Sequence, residues 1–345
     1  MDRQTVKSII TGRRDELAAS VLERHFSLDP SLRARYDDYR KARCLEDVRY
    51  HLTFLAEAVS LNLPSIFVDY LLWAKTVLVS RNVDVDELVY NLRVMGEALE
   101  AELDGELRDE VVSIIDAGRQ ALTLHRPSEG ASLLATDLAQ RYTEFLVKGD
   151  RRSARDLILT AVDGGMPVSE IYLQVLQASQ WEIGHLWHQN KISVAHEHFA
   201  TAVTQSIMAE LYPYFAATPR RGRRLVAAAA PGEIHELGIR MVADFFEMDG
   251  WDTYFVGANT PLRDLMRALG EQRPHLLAIS ASTALNLGAV QDIVKATREL
   301  KGAPAIMVGG RLFLQNPDLW QSVGADGFAP DARSAVLRGN DLVAQ

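Results

Sequence analysis

A histidine in a short segment with glycines on both sides is the first residue of this sequence that could do chemistry. His235 stands in Pro-Gly-Glu-Ile-His-Glu-Leu-Gly, and Glu233 precedes it by two positions. The Glu233 carboxylate could accept a hydrogen bond from one imidazole nitrogen and leave the other nitrogen for a metal ion. Gly232 and Gly238 would allow a close backbone approach. A surface ion pair is the alternative interpretation, and these residues alone leave both open.

Two groups of small residues follow His235 along the chain, Ser280-Ala281-Ser282 and Gly309-Gly310. Together with E-x-H-x-x-G they resemble the cobalamin-binding signature D-x-H-x-x-G…S-x-L…G-G of the methionine-synthase type, and both intervals match. Two positions depart from the signature. Glu233 stands where aspartate is usual and keeps a carboxylate on a longer arm, whereas Ser282 replaces a leucine and adds polarity.

The resemblance implies a mode of cofactor binding. The dimethylbenzimidazole tail would leave the cobalt of cobalamin, and His235 would take the vacated lower axial position. Ser280, Gly309 and Gly310 would line the slot for the tail, because a larger side chain would fill it. Further positions expected at the corrin or its tail are Glu233, Gly238, Gly257, Asn259, Thr260, Ser282, Thr283, Arg311 and Phe313.

A second motif lies earlier in the chain, where Trp187, Glu197 and His198 form the pattern W-x9-E-H and His188 follows the tryptophan. This pattern resembles the cap of light-sensing adenosylcobalamin repressors of the CarH type. The resemblance implies that Trp187 packs on the 5′-deoxyadenosyl group and that Glu197 forms a hydrogen bond with it. His198 would help to hold the pocket, and His188 would coordinate cobalt after light removes the adenosyl group.

Other interpretations of this motif remain open. A tryptophan in a helical bundle commonly belongs to the core, and histidines three positions apart can form a solvated stripe. A second metal site is also conceivable, although it lacks a known ligand spacing such as H-E-x-x-H. Its ligands would be His185, His188, His196 and His198.

The segment 49–88 is rich in aromatic residues and helical patterning, and it resembles the globin- or phycobiliprotein-like domain of photocobilins. That resemblance implies a bound biliverdin, with Lys and Arg suited to its propionates and aromatic side chains to its face. A plain helical dimerisation domain and a haem-binding globin with His51 as proximal ligand are the alternatives. Cys44 could attach a bilin covalently or be inert. Candidate bilin-binding residues are His51, Phe54, Tyr70, Trp73, Lys75 and Arg81.

The hydrophobic periodicity of the sequence, and the turn residues that interrupt it, divide the chain into three predicted domains. These domains position the residues described above. Residues 1–127 predict an all-α domain, with a helix restart at Pro64 and a cap at Asp84 or Asp86. Residues 131–216 predict a four-helix bundle, and Ser193 is expected to cap its last helix. Residues 223–345 alternate short apolar runs with amphipathic helices, which predicts a Rossmann-like parallel sheet. In such folds ligands bind beyond the carboxyl ends of the strands, where the motif residues stand.

Composition narrows the function classes. Apolar residues make up 48% and charged residues 24% of the 345 residues, which is typical of a globular protein. A formal net charge of −9 argues against direct nucleic-acid or anionic-membrane binding. The arginines of 220–224 are interpreted as a solvated linker. The sequence has one cysteine, and we find neither a signal peptide nor a membrane-spanning segment in it, which predicts a cytoplasmic protein. We also expect a homodimer or other homo-oligomer.

These observations favour a light sensor that binds adenosylcobalamin, combined with a biliverdin chromophore in the first domain. The alternative from another class is a corrinoid methyl carrier of a methyltransferase system, and a redox or vitamin sensor without light is a third. The W-x9-E-H motif discriminates between the first two, because a methyl group is too small to need an adenosyl-shaped pocket. No residue pattern indicates catalysis by the protein itself.

Overall fold

The computed structural model describes residues 2–28, 30–125 and 134–344. They form two compact units. The first holds the described residues up to 125 together with His188–Lys191, and the second holds residues 134–187 and those from 192 onward. Residues 126–133, which include the predicted boundary between 127 and 131, lie outside the described residues. None of the helices in the described ranges is long and apolar enough to cross a membrane.

The first unit is all helical within the described residues, as its periodicity predicts. The face formed by Leu52, Leu55, Ala56 and Val59 is fully buried. Pro64 is the first residue of its helix, and the Asp84 side chain caps the next helix by accepting from the Asp86 N–H. The helices are α1 (Arg3–Gly12), α2 (Arg14–Leu28), α3 (Pro30–Arg35), α4 (Asp38–Leu61), α5 (Pro64–Val79), α6 (Val85–Glu102) and α7 (Glu106–Leu124).

The helical part of the second unit begins with α8 (Asp137–Val147) and α9 (Arg151–Asp163). A long third helix runs through α10 (Val168–Glu170), a π-helical segment (Ile171–Gln177) and α11 (Ala178–His188), and α12 (Val194–Leu211) follows. Gly165, with a φ of 94°, makes the turn before the third helix. Ser193 forms the predicted cap of α12, and its side chain meets that of His196 in a capping box.

Five parallel strands form the sheet of the second unit, in the order β2-β1-β3-β4-β5. The strands are β1 (Arg224–Ala229), β2 (Asp252–Gly257), β3 (Leu276–Ser280), β4 (Ala305–Gly309) and β5 (Gly327–Phe328), and the helices are α13 (Leu237–Met248), α14 (Leu262–Gln272), α15 (Leu287–Arg298), α16 (Arg311–Gln315), α17 (Leu319–Ser322) and α18 (Ala332–Ala344). The predicted parallel sheet is therefore confirmed. The chain leaves β1 for β2 on one side and continues at β3 on the other, which makes the β1–β3 edge the topological switch point.

The arginines before β1 are exposed or partly exposed, as expected for a solvated linker, but they are also paired. Arg220 donates to Glu247 and to the carbonyl of Trp251, and Arg221 pairs with Asp249. These ion pairs and hydrogen bonds fasten the segment to the sheet domain. The acidic partners lie at the end of α13 and after it, far along the sequence, so local composition did not reveal them.

Candidate functional site

The loop after β1 places His235 beside Glu233, as the sequence predicts. Glu233 is buried, with 2% of its surface exposed, whereas the His235 side chain is 64% exposed. The Glu233 Oε1 atom lies 2.5 Å from His235 Nδ1 and also accepts the His235 backbone N–H at 2.9 Å. Since a carboxylate accepts here, Nδ1 carries the proton and the Nε2 lone pair remains for a metal.

Hydrogen bonding shifts the pKa of both members of this pair. The hydrogen bond to Glu233 raises the pKa of His235 above its ordinary value, against the opposing effect of burial. Burial alone would raise the pKa of Glu233, but hydrogen bonds from His235 and from the Ser282 backbone lower it overall. Glu233 is therefore ionised at neutral pH, and its charge makes the imidazole a stronger electron donor.

Glu233 also joins the β1 loop to the loop after β3. Its Oε2 atom accepts the backbone N–H of Ser282 at 2.6 Å. With its amide nitrogen turned toward these neighbours, buried Asn286 donates to Glu233 Oε2 at 3.2 Å and to Thr283 Oγ1 at 2.9 Å. The sequence analysis did not single out Asn286, because a polar residue inside an apolar helical stretch has no signature of its own.

A second carboxylate, Glu236, connects three elements around the same loop. Its Oε1 atom accepts from Gln205 of α12 at 3.0 Å, and its Oε2 atom accepts the Ala258 N–H after β2 at 2.9 Å. Asn259, expected at the corrin, has a left-handed φ of 51° and accepts the Gly232 N–H at 3.1 Å. Both residues hold the His235 loop in place, a role that was missed for Glu236 despite its position beside His235.

The predicted glycines differ in how much space a side chain would have at each position. A Cβ atom on Gly310, whose φ is 93°, would lie 2.4 Å from the carbonyl oxygen of Ala281, so the fold itself requires this glycine. A Cβ atom on Gly309 would meet only the Ala329 carbonyl at 3.5 Å, and one on Gly238 would meet nothing within 4 Å. Gly257 has a φ of 85°, and a Cβ there would approach Glu236. Open space thus lies beside Gly238, which follows His235 closely.

The cap motif places a carboxylate near the cobalt-ligand candidate. Glu197 on α12 accepts from Thr201 at 3.1 Å, and its other oxygen lies 2.6 Å from His198 Nδ1. The negative charge of Glu197 contributes to the raised pKa of His235, after the hydrogen bond to Glu233. Trp187 packs, half-buried, against the core of the bundle.

Other predicted positions are placed differently. Phe313 is fully buried in α16 and presents no surface to a ligand, because it packs inside the domain. Buried Ser280 lies at the end of β3, next to the Gly310 backbone. The described residues contain no group of three His, Cys, Asp or Glu side chains that could hold a metal ion. The second metal site at His185, His188, His196 and His198 therefore has no support here.

The candidate bilin residues of the first unit are brought together only in part. His51 Nδ1 lies 2.7 Å from Tyr70 Oη, and burial lowers the pKa of His51 to about 4. Phe54 stacks on Tyr70 with ring centres 3.9 Å apart. Lys75 instead donates to the carbonyls at the end of α7. Burial raises the pKa of the Cys44 thiol to about 12, which makes covalent attachment of a bilin there chemically unfavourable.

The donor set of the second unit fits a corrinoid. A corrin ring supplies the equatorial ligands of cobalt, so the protein needs one exposed nitrogen held by a carboxylate, and His235 with Glu233 provides it. A Cβ atom would meet nothing within 4 Å at Gly238, so the backbone next to the His235 loop is open to a ligand.

Comparison with known families indicates what the second unit binds. Residues 223–337 match one family model of the B12 binding domain, and residues 138–212 match another. The chain is a cobalamin-binding protein. The first match covers the sheet and the His235 loop, and the second covers the helical part of the same unit.

Several relatives resemble more than half of this chain. Dimethylamine corrinoid protein 1 of Methanosarcina acetivorans is 26% identical over 199 residues, which are 55% of this chain and 92% of the relative. The HTH-type transcriptional repressor CarH of Myxococcus xanthus is 27% identical over 217 residues, 59% of this chain and 71% of the repressor. The relatives of the first type are corrinoid proteins.

A solved structure shares the fold of more than half of this chain. The monomethylamine corrinoid protein of Methanosarcina barkeri superposes with a TM-score of 0.54 at 17% identity. It covers 60% of this chain and 98% of its own. The likeness supports the combination of a helical domain and a parallel-sheet domain.

Proposed function

We propose that this protein is a light sensor that binds adenosylcobalamin, with His235 as the lower ligand of the cobalt. The observation that carries the proposal is the placement of Glu197, which is anchored by His198 and Thr201 and acts electrostatically on His235. The similarity to a CarH repressor supports it, since the W-x9-E-H pattern resembles the cap of that family.

The cofactor supplies a cobalt–carbon bond that visible light can break. The protein residues determine how the chain responds to that break. Glu233 holds the His235 imidazole in one orientation, while Trp187 and Glu197 enclose the adenosyl group. Space that the adenosyl group would fill would cost, when empty, about 24 cal/mol for each Å³ that the bundle fails to close. The bundle is expected to shift against the sheet domain, since a packed interface moves as a rigid body.

A corrinoid methyl carrier is the second candidate function. The match to several dimethylamine corrinoid proteins over nearly their whole length favours it. A carrier would need an open upper face so that partner methyltransferases can reach the methyl group. The anchored Glu197–His198 pair is the feature that favours enclosure instead.

The absorbance of the purified protein tests the light-sensing function. The protein is loaded with adenosylcobalamin in the dark, and its spectrum is recorded before and after green light. A light sensor gives a stable spectral change, which should be weakened in Glu197→Ala and retained in the surface variant Glu299→Ala. A spectrum of the loaded wild type that light leaves unchanged contradicts the light-sensing function.

We also propose that the first unit binds biliverdin without a covalent bond. The aromatic cluster of Phe54, Tyr70 and Trp73 supports this proposal, since flat rings suit a tetrapyrrole face. Biliverdin added to the protein should produce a red-absorbing band that co-elutes with it. Denaturing conditions should then separate the pigment from the protein, because no covalent bond joins them. Elution of the pigment apart from the protein would remove the proposal.

A further inference from the structure

The loops after β1, β3 and β4 meet at the carboxyl ends of the strands. The Ala230 N–H after β1 donates to the carbonyl of Ser280 at 2.9 Å, and the Ala281 N–H after β3 donates to the carbonyl of Gly309 at 3.1 Å. Arg311 follows two positions after Gly309 and begins α16. It therefore lies at the same end of the sheet as the loop that carries the candidate cobalt ligand.

Arg311 is close enough to His235 for their charges to interact. The hydrogen bond to Glu233 has the largest effect on the pKa of His235 and raises it, whereas the positive charge of Arg311 lowers it. Interactions between exposed charges are largely screened beyond a Debye length of about 10 Å. The effect therefore indicates a guanidinium in the neighbourhood of the imidazole.

Arg311 has no ionic partner in the part of the chain that the structure describes. The residue is exposed, and its side chain forms no ion pair or hydrogen bond with any described residue. By contrast, Arg224 pairs with Asp252, and Arg298 pairs with Asp326. The Arg311 guanidinium is thus available to an anion that does not belong to the chain.

Cobalamin carries one anionic group that suits this position. The groups around the corrin ring are neutral amides, and the negative charge lies on the phosphodiester that joins the ring to the dimethylbenzimidazole base. When the base leaves the cobalt, the phosphodiester stays on the lower side of the ring, which is the side from which His235 would bind. A guanidinium presents its N–H donors in a planar fork that matches the oxygens of a phosphate.

We propose that Arg311 binds the phosphodiester of the cobalamin tail and thereby makes the site selective for corrinoids that carry a phosphate. The inference rests on the proposed function in one respect, the assignment of His235 as the lower ligand, which puts the tail on this side of the ring. It does not depend on light. A corrinoid without the phosphate offers no anion to Arg311, so this residue should contribute nothing to its binding.

Three corrinoids separate the phosphate from the rest of the cofactor. Hydroxocobalamin has the whole tail, cobinamide phosphate has the phosphate without the ribose and the base, and cobinamide lacks all of these. Titration of the apoprotein in the dark, followed by absorbance, measures the affinity for each. We expect Arg311→Ala to bind the first two about tenfold more weakly than the wild type, the factor expected for one charge-assisted hydrogen bond. Its affinity for cobinamide should be unchanged, which also shows that the variant is folded.

Two further variants and the salt concentration make the test specific. Arg311→Lys should keep part of the affinity for hydroxocobalamin, because a lysine still offers a positive charge to the phosphate. Arg273→Ala removes an exposed arginine at the amino ends of the strands, and it should bind all three corrinoids as the wild type does. Added salt should weaken the binding of hydroxocobalamin to the wild type more than to Arg311→Ala.

Two results overturn the inference. Equal affinities of Arg311→Ala and the wild type for hydroxocobalamin would show that Arg311 does not bind the phosphate. An equal loss of affinity for hydroxocobalamin and cobinamide would show that Arg311 supports the loop or the ring instead. The lower ligand is checked separately by electron paramagnetic resonance of bound cob(II)alamin. A base that stays on the cobalt contradicts the assignment of His235, whereas the selectivity among the three corrinoids reports on Arg311 alone.

Discussion

Glu233 is the single residue through which the site is organised. One of its oxygens serves the His235 side chain and backbone, and the other accepts from the Ser282 N–H. Every one of these partners is a donor, so both oxygens must accept. A charged carboxylate meets that requirement, and no other side chain of similar size does.

Glu233→Gln should weaken cobalamin binding about 10–100-fold. The amide places an N–H₂ group against either His235 or the Ser282 N–H, and it removes the charge that raises the pKa of His235. Titration of the apoprotein with cobalamin, followed by absorbance, measures the change. The exposed Glu299→Gln should bind as the wild type does. Equal affinities of Glu233→Gln and the wild type would refute the role given to Glu233.

Replacing each of two glycines of the signature with alanine should have opposite effects on the stability of the apoprotein. Gly310→Ala forces a Cβ atom against the Ala281 carbonyl and should destabilise the apoprotein by about 3 kcal/mol or more. Gly238→Ala has open space in the first turn of α13, so the apoprotein should keep or gain up to about 1 kcal/mol. Its cobalamin affinity should fall nonetheless. Denaturant unfolding and cobalamin titration of both variants separate the two effects, and a Gly238→Ala protein with full affinity would show that Gly238 does not contact the corrin or its tail.

The residue types at the motif positions could be predicted from the sequence, but their partners could not. His235 and Glu233 lie two positions apart, so their pairing is local. Asn286 and Gln205 reach the same loop from distant helices, and only the packing of those helices brings them there. Phe313 was expected at the ligand and is buried, since its direction depends on how α16 packs.

At the scale of elements, helix ends and strands follow from local signals. Pro64, Asp84 and Ser193 begin helices because their side chains satisfy or avoid the free N–H groups of a first turn. The apolar runs became strands because both faces of the sheet are covered. The π-helical segment within the third bundle helix has no such signal, and it carries Tyr172, which donates to Asp244 of α13 at 2.8 Å.

The burial of Asp244 beside Tyr172 predicts a pH dependence of stability. Burial raises the pKa of Asp244 to about 6 in the folded protein, from 3.8 when exposed. The folded state therefore binds this proton more tightly, and the stability that it contributes is lost as pH rises from about 4 to about 6. Asp244→Asn keeps an acceptor for Tyr172 and removes the charge, so it should stabilise the protein by about 1–3 kcal/mol at pH 8.

Chemical denaturation of the apoprotein at several pH values tests this dependence. The advantage of Asp244→Asn should vanish near pH 4, where Asp244 is already protonated in the folded state. The exposed Asp292→Asn should follow the wild type at every pH. A variant and wild type with parallel pH profiles would show that Asp244 titrates normally.

At the scale of the whole molecule, the described chain consists of a helical unit and a cobalamin-binding unit. The second was predictable, because a three-part motif with fixed intervals identifies both its fold and its cofactor. The globin-like fold of the first unit stays a prediction, since helical patterning without a strict motif is compatible with many all-α folds. That the turn His188–Lys191 groups with the first unit could not be predicted, because it depends on contacts more than 100 positions apart.

The central claim is that His235 binds the cobalt from below in place of the cofactor's own base. Electron paramagnetic resonance of cob(II)alamin bound to protein labelled with nitrogen-15 at histidine measures this directly, because the cofactor is unlabelled. We predict that the cobalt lines show nitrogen-15 splitting in the wild type and in His188→Ala, and that His235→Ala loses it. Nitrogen-14 splitting from the dimethylbenzimidazole base in the labelled wild-type protein would contradict the account.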